Sequence, residues 1–197
     1  MATARSRQSK KGESPPQRSL VKSLILTILT LLVLAMLFFT GQFVRKEYSF
    51  HPISGTSMQP ALTEKDMVLV KKRSPIHRYD VIAFSVKGEK GKFIKRVIGI
   101  PGDTLFIRND RMVLNIGEHG DFETSYTFQL SPAVAEEFQE LTKIPDGLYF
   151  TTGDHIDVSK DSRTFGFVHK EAIEGTVQFH LPSLIRQQAE LEQMRTR

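Results

Sequence analysis

The sequence predicts a mainly β protein: one apolar N-terminal helix of membrane length, then a small all-β barrel or sandwich with a single helix in its middle. Three observations predict it. Residues 24–40 are seventeen positions without a charge, near the lower limit for crossing the hydrocarbon core. Beyond them, short runs rich in Val, Ile, Phe and Thr recur between turn residues, the pattern of small β domains. Only the stretch around 131–143 combines a helix start with a run of good helix formers.

Residues 1–18 mix basic residues with Ser, Gln, Gly and Pro. They cannot bury enough apolar surface to offset the entropy of ordering, so a flexible tail is expected. The anchor is placed at 19–44, with Ser23 and Gly41 to Val44 able to extend the uncharged run. A cleaved secretory signal is the rival reading, because the flank is basic; the apolar run exceeds the usual length and no Ala-x-Ala-like site follows. The same flank predicts the N-terminus in the cytoplasm and the chain beyond Val44 outside, with only Arg45, Lys46 and Glu47 on the far side.

Strands are expected at 67–71, 81–86, 92–99, 104–107, 112–116, 148–151 and 176–179. Gly88-Glu89-Lys90-Gly91 and Asn109-Asp110 should close hairpins. Pro101-Gly102 suits a type II turn, with Gly free to take positive φ. Ser131 can cap the helix, with Pro132 at its first position and 133–143 as its body. The β region is assigned to 45–182. Residues 183–197 are polar with scattered Leu184, Ile185, Leu191 and Met194, as in a frayed surface helix.

The formal charge of +5 is a local property. Arg5, Arg7, Lys10, Lys11, Arg18 and Lys22 against Glu13 account for all of it, which leaves 21 basic and 21 acidic residues over 23–197. That neutrality argues against nucleic acid as a partner. The absence of cysteine excludes disulfides and thiolate chemistry. His51, His77, His119, His169 and His180 show no metal-ligand spacing.

Ser57, in Ser54-Gly55-Thr56-Ser57-Met58-Gln59-Pro60, is either a turn serine or a nucleophile. A serine hydroxyl needs a neighbouring base to take its proton. Lys95 can supply one. Period two puts it between Phe93 and Val97 on one face of its strand, with Ile94, Arg96 and Ile98 on the other. An apolar setting disfavours the ammonium, lowers the pKa and frees the neutral amine. Lys72, Lys87, Lys90 and Lys92 read instead as surface lysines that discourage edge pairing. His155 beside Asp154 and Asp157 offers a Ser-His-Asp alternative.

Four blocks in order resemble the bacterial type I signal peptidases, membrane-anchored Ser/Lys-dyad serine proteases. They are Ser54 to Pro60, Asp66-Met67-Val68-Leu69-Val70, Lys95 to Asp103, and Gly153-Asp154 followed by Ser159-x-Asp161-Ser162-Arg163. The resemblance runs from about Leu24 to Val168. It implies a barrel-like catalytic domain whose accessory insertion, here about 104–147, is short as in Gram-positive members. It implies Ser57 as nucleophile, with its backbone N–H toward the oxyanion, and Lys95 as general base. Ser159 would orient the lysine by a hydrogen bond, Asp161 and Arg163 would pair, and Asp154 would support them.

The resemblance also implies cleavage of signal peptides from exported preproteins at the outer face of the cytoplasmic membrane. No cofactor or metal is implied; the partners are signal peptides and the lipid bilayer. Two positions depart from the family pattern: His155-Ile156 stand where Asn-Arg is usual, and Gly55 stands where some members carry an oxyanion-binding serine. A Ser/Lys self-cleaving regulator and a non-catalytic membrane-anchored binding protein of the same fold are the readings from other classes.

Overall fold

The computed structural model describes residues 17–117, 124–184, 187, 194 and 195. The expectations for residues 1–16, for His119, and for Ile185 and Leu191 lie outside the described residues. The chain divides into two compact units, one ending at Val44 and one from Arg45.

Helix α1 spans Gln17–Glu47. Its segment Val21–Glu47 has a mean hydropathy of 2.6, and none of its residues is buried in the protein. Uniform apolarity, with no polar face, makes it long and apolar enough to cross a membrane by length and composition.

The second unit is mainly β. Strands β1 (Tyr48–Pro52), β2 (Met67–Lys72), β3 (Val81–Phe84), β4 (Phe93–Gly99), β8 (Leu148–Thr152), β9 (Val168–His169) and β10 (Ile173–Leu181) form one curled sheet. Its order is β1-β2-β10-β3-β4-β8-β9, and every pairing is antiparallel. Strands β5 (Thr104–Arg108), β6 (Arg111–Ile116) and β7 (Thr124–Gln129) form a separate sheet between β4 and β8. The expected turns are present: Gly88, Gly91 and Gly102 all have positive φ, and so has Asn109 in the two-residue loop between β5 and β6.

Three cores hold these sheets. Met112, Leu114, Phe138 and Phe150 are completely buried beneath the small sheet. Val68, Val70, Ala83 and Ile94 pack with Met58 and Leu62. Ile82, Phe84 and Val97 fill the third, under Tyr149 and Val168. Strand β4 contributes Ile98, Ile94 and Val97 to the three in turn, so both of its faces are buried, as in a central strand.

Several boundaries differ from expectation. Residues 85 and 86 and Lys92 lie outside strands, and β10 runs longer at both ends than 176–179. Strands β1, β7 and β9 and the one-turn helix α3 (Ser162–Phe165) were unexpected. Helix α2 is Pro132–Phe138, capped by Ser131 Oγ accepting from Val134 N–H, and stops well short of 143. The reason is competition for backbone groups: Leu105 N–H donates to Thr142 C=O and Ile144 N–H to Asp103 C=O. These bonds hold 142–144 extended beside β5, and Ile144 buries itself in the core.

Candidate active site

The segment linking β1 to β2 carries Ser57. It is closed at its base by Ile53 N–H to Asp66 C=O (2.7 Å) and Lys65 N–H to Ile53 C=O (3.0 Å). The buried Asp66 carboxylate accepts from Thr63 N–H and Oγ1 and from Ser183 N–H. Met58 and Leu62 plug into the core, which anchors the residues on either side of the tip. Gly55 has φ +89°, a conformation that a serine at that position would strain. That is a backbone reason for glycine where some family members carry a serine.

Lys95 approaches from β4, held in register opposite Ile82 on β3. It is only 4% exposed. Its Nζ donates to Ser57 Oγ at 2.6 Å and to Ile94 C=O at 3.1 Å, and stands 5.9 Å from the Phe93 ring centre. Burial pushes the Lys95 pKa below its ordinary value, and the carboxylates of Asp161 and Asp154 pull part of the way back. Loss of hydration of the ammonium outweighs attraction to those two acids.

The third wall is the loop after β8. Gly153 N–H donates to Ser159 Oγ (3.1 Å) and to Asp161 Oδ2 (3.0 Å). His155 N–H donates to Ser57 C=O at 3.0 Å. Gly153 is needed for close approach: a Cβ there would lie 2.3 Å from Ser159 Oγ and 2.4 Å from Ser57 O. Asp161 is completely buried and accepts from Arg163 Nε (2.8 Å) and Nη2 (2.9 Å). Burial alone would raise its pKa, but the bonds from Arg163 and Gly153, with Ser159 beside it, hold it below the ordinary 3.8. Ser162 Oγ accepts from Thr151 N–H, pinning the loop to β8.

Ser57 and Lys95 are thus brought into contact, and Ser159, Asp161 and Arg163 lie on the loop that packs against the Ser57 backbone, with two differences from expectation. Ser159 Oγ is engaged by Gly153 N–H and the Asp161 carboxylate, while the Lys95 bonds go to Ser57 and Ile94; the orienting bond from Ser159 to the lysine is absent. Asp154 does not join the Asp161–Arg163 pair but binds Arg96, at 2.8 Å to Nε and 2.7 Å to Nη2. Arg96, missed as a site residue, also donates to Tyr79 C=O and so bolts the loop to β4. The only sequence signal for it was its place next to Lys95.

The Ser-His-Asp alternative does not match this geometry. Ser57 Oγ faces lysine, and the buried Nδ1 of His155 has no hydrogen-bond partner among the described residues. The loop also does not need the usual Asn-Arg side chains, because its bonds come from His155 N–H and from Ile156 C=O, which accepts from Arg163 Nη2 at 2.7 Å. Among the described residues the Ser57 N–H is engaged by no other group. A cleft of about 460 Å³ opens between 52–58, 92–95 and Val158.

Known proteins resemble this chain in sequence over most of its length. The model of the family described as signal peptidase, peptidase S26, matches residues 20–181. A signal peptidase I of Bacillus caldolyticus is 35% identical over 144 residues, 67% of this chain and 78% of that protein. A signal peptidase IB of Staphylococcus aureus strain Mu50 is 32% identical over 161 residues, 73% of this chain and 81% of that protein. A crystal structure of a signal peptidase I from Enterococcus faecalis V583 is 28% identical, covers 53% of this chain and 98% of its own, and superposes with a TM-score of 0.37. A match across most of the chain, joined by relatives above 30% identity over two thirds of it, shows that the chain belongs to the signal peptidase family, peptidase S26.

Proposed function

We propose that this serine endopeptidase removes signal peptides with Ser57 as nucleophile and Lys95 as general base. One observation carries the assignment: an almost fully buried lysine whose Nζ lies 2.6 Å from a serine Oγ at the edge of a cleft. With Lys95 neutral the bond reverses, and Ser57 donates to the amine. Ser57 Oγ attacks the scissile carbonyl carbon as Lys95 takes its proton, and the developing oxyanion is met by the free Ser57 N–H. The tetrahedral intermediate collapses to an acyl-enzyme, and the Lys95 ammonium returns the proton to the departing amine. Water, deprotonated by the same lysine, then hydrolyses the ester.

The supporting residues act through position. Asp161 and Arg163 fix the loop that receives the Ser57 carbonyl, Ser159 fills the space beside Gly153, and Asp154 with Arg96 ties that loop to the lysine strand. Substrate lies extended between 53–55 and 92–95, with small side chains at the first and third positions before the cut. The basic flank of α1 favours an N-terminus in the cytoplasm and a protease unit on the outer side, held at the bilayer where a signal peptide ends.

The test is cleavage of a preprotein by detergent-solubilised wild type, Ser57→Ala and Lys95→Ala. Cleavage after a small-x-small sequence by the wild type alone is expected. An active Lys95→Ala with an inert His155→Ala would overturn the assignment of the base.

A further inference from the structure

The cleft beside Ser57 is lined by four lysines and no acidic residue: Lys90, Lys92, Lys95 and Lys160. Lys95 works as a neutral amine in the reaction, which leaves three cations on the rim. Two of them are fixed by carboxylates that do not line the cleft. Lys92 pairs with Glu174 at 3.1 Å and Lys160 with Glu89 at 2.6 Å. The second pair joins the β3–β4 hairpin to the loop after β8, so it also steadies the turn that presents Lys90. Lys90 itself has no ion pair among the described residues.

We infer that this rim is a specificity element, and that the enzyme prefers preproteins carrying a carboxylate side chain a few residues from the cut. The inference rests on the Ser57/Lys95 reading, because that reading places the scissile bond. Lys92 precedes Lys95 by three residues on an extended chain, about 10 Å at roughly 3.3 Å per residue. A substrate strand alongside therefore brings a residue about three to five positions from the scissile bond within reach of Lys90. A carboxylate there gains a cationic partner that no acidic residue of the cleft lining neutralises. A lysine or arginine there meets like charge. An anionic lipid headgroup would satisfy the same cation, but the location of Lys90 within the substrate cleft favours the peptide.

The experiment uses the full chain in neutral detergent and one small-x-small peptide, with Asn, Asp or Lys placed in turn at each position within about six residues of the cut on either side. Asp should exceed Asn in kcat/KM by about two- to five-fold at one or two neighbouring positions on one side only. The ratio should fall toward unity near 0.5 M salt, where the Debye length is about 4 Å. Lys90→Glu should invert it, so that Lys outpaces Asp at the same position, a swap that mere loosening of the hairpin would not produce. Equal rates for Asp and Asn at every position overturn the inference. So does a Lys90→Glu ratio equal to the wild type, or a preference that appears only when anionic vesicles are added. Cleavage of the Asn peptide by wild type and not by Ser57→Ala shows that the reading of the dyad stands even if the preference does not. If no peptide is cut, both fall.

Discussion

Gly153→Ala is the sharpest perturbation available, because the added atom is a single methyl aimed at the Ser57 backbone. It would sit 2.4 Å from Ser57 O, 2.3 Å from Ser159 Oγ and 2.7 Å from Ser159 Cβ. Carbon contacts are comfortable at about 3.5–4.0 Å, so the loop and the Ser57 backbone must separate by about 1 Å. The obstruction on the Ser57 side is main chain, which cannot swing away. Overpacking of this kind costs about 1–3 kcal/mol of stability. A displacement of about 1 Å at a reacting centre costs on the order of 100-fold in rate.

Gly99→Ala is the matched control. Its Cβ would meet Ile144 Cδ1 at 2.4 Å, equally crowded but against the tip of a flexible side chain in the core under the small sheet. Both variants should lower the melting temperature. Only Gly153→Ala should lower kcat/KM by about 100-fold per folded molecule, with folded enzyme counted by a serine-directed acylating probe at long reaction times. Wild-type kcat/KM for folded Gly153→Ala, or equal losses in the two variants, refutes the close-approach account.

Four further outcomes follow from the charges. The rate should rise with pH through an apparent pKa below the ordinary lysine value of 10.5, since burial lowers Lys95 and the base must be neutral. Asp154→Asn removes one of the acids pulling that value upward, so it should move the limb to lower pH; a limb that stays or rises counts against the assignment. Arg163→Met strands the buried Asp161 carboxylate and should cost about 3 kcal/mol in chemical denaturation near neutrality. Asp161 is held below 3.8 in the fold, so its stabilisation is present above that pH and is lost as pH falls through the folded value; the deficit of the variant should shrink there. Glu174, part-buried among Ser49, Lys92 and His51, is held down to about 2 against an ordinary 4.5. Glu174→Gln should therefore destabilise the fold by on the order of 1–3 kcal/mol at neutral pH, by less as pH drops from 4.5 toward 2, and a pH-independent deficit would show that the cluster matters only for packing.

What could be read from the sequence was whatever is local along the chain. Seven strands were legible because Val, Ile and Phe cluster between glycine-containing turns. Lys95 was legible because a charged residue stood among Phe93, Ile94, Val97 and Ile98. Strand β1 was not, since Tyr-Ser-Phe-His-Pro has no β-branched residue and acquires its conformation from pairing with β2. Strand β7, Thr-Ser-Tyr-Thr-Phe-Gln, exists through its register with β6, which places Phe128 opposite Met112. The Arg96–Asp154 pair joins residues 58 positions apart, and no spacing rule announces it. The helix after Ser131 was placed at its start, where a cap is local, and misplaced at its end, where the partner strand decides.

That the loop beside Ser57 is held by peptide groups at His155 and Ile156 has a consequence for how such an enzyme can change. Ile156 is 46% exposed, and its side chain carries none of the loop's hydrogen bonds. Selection can rewrite Ile156 without removing those backbone bonds. The protein engineer has the same freedom: a fluorophore or spin label introduced at Ile156 would sit one residue from the peptide group that bonds the Ser57 carbonyl, close enough to report on the arrival of a substrate at the cleft.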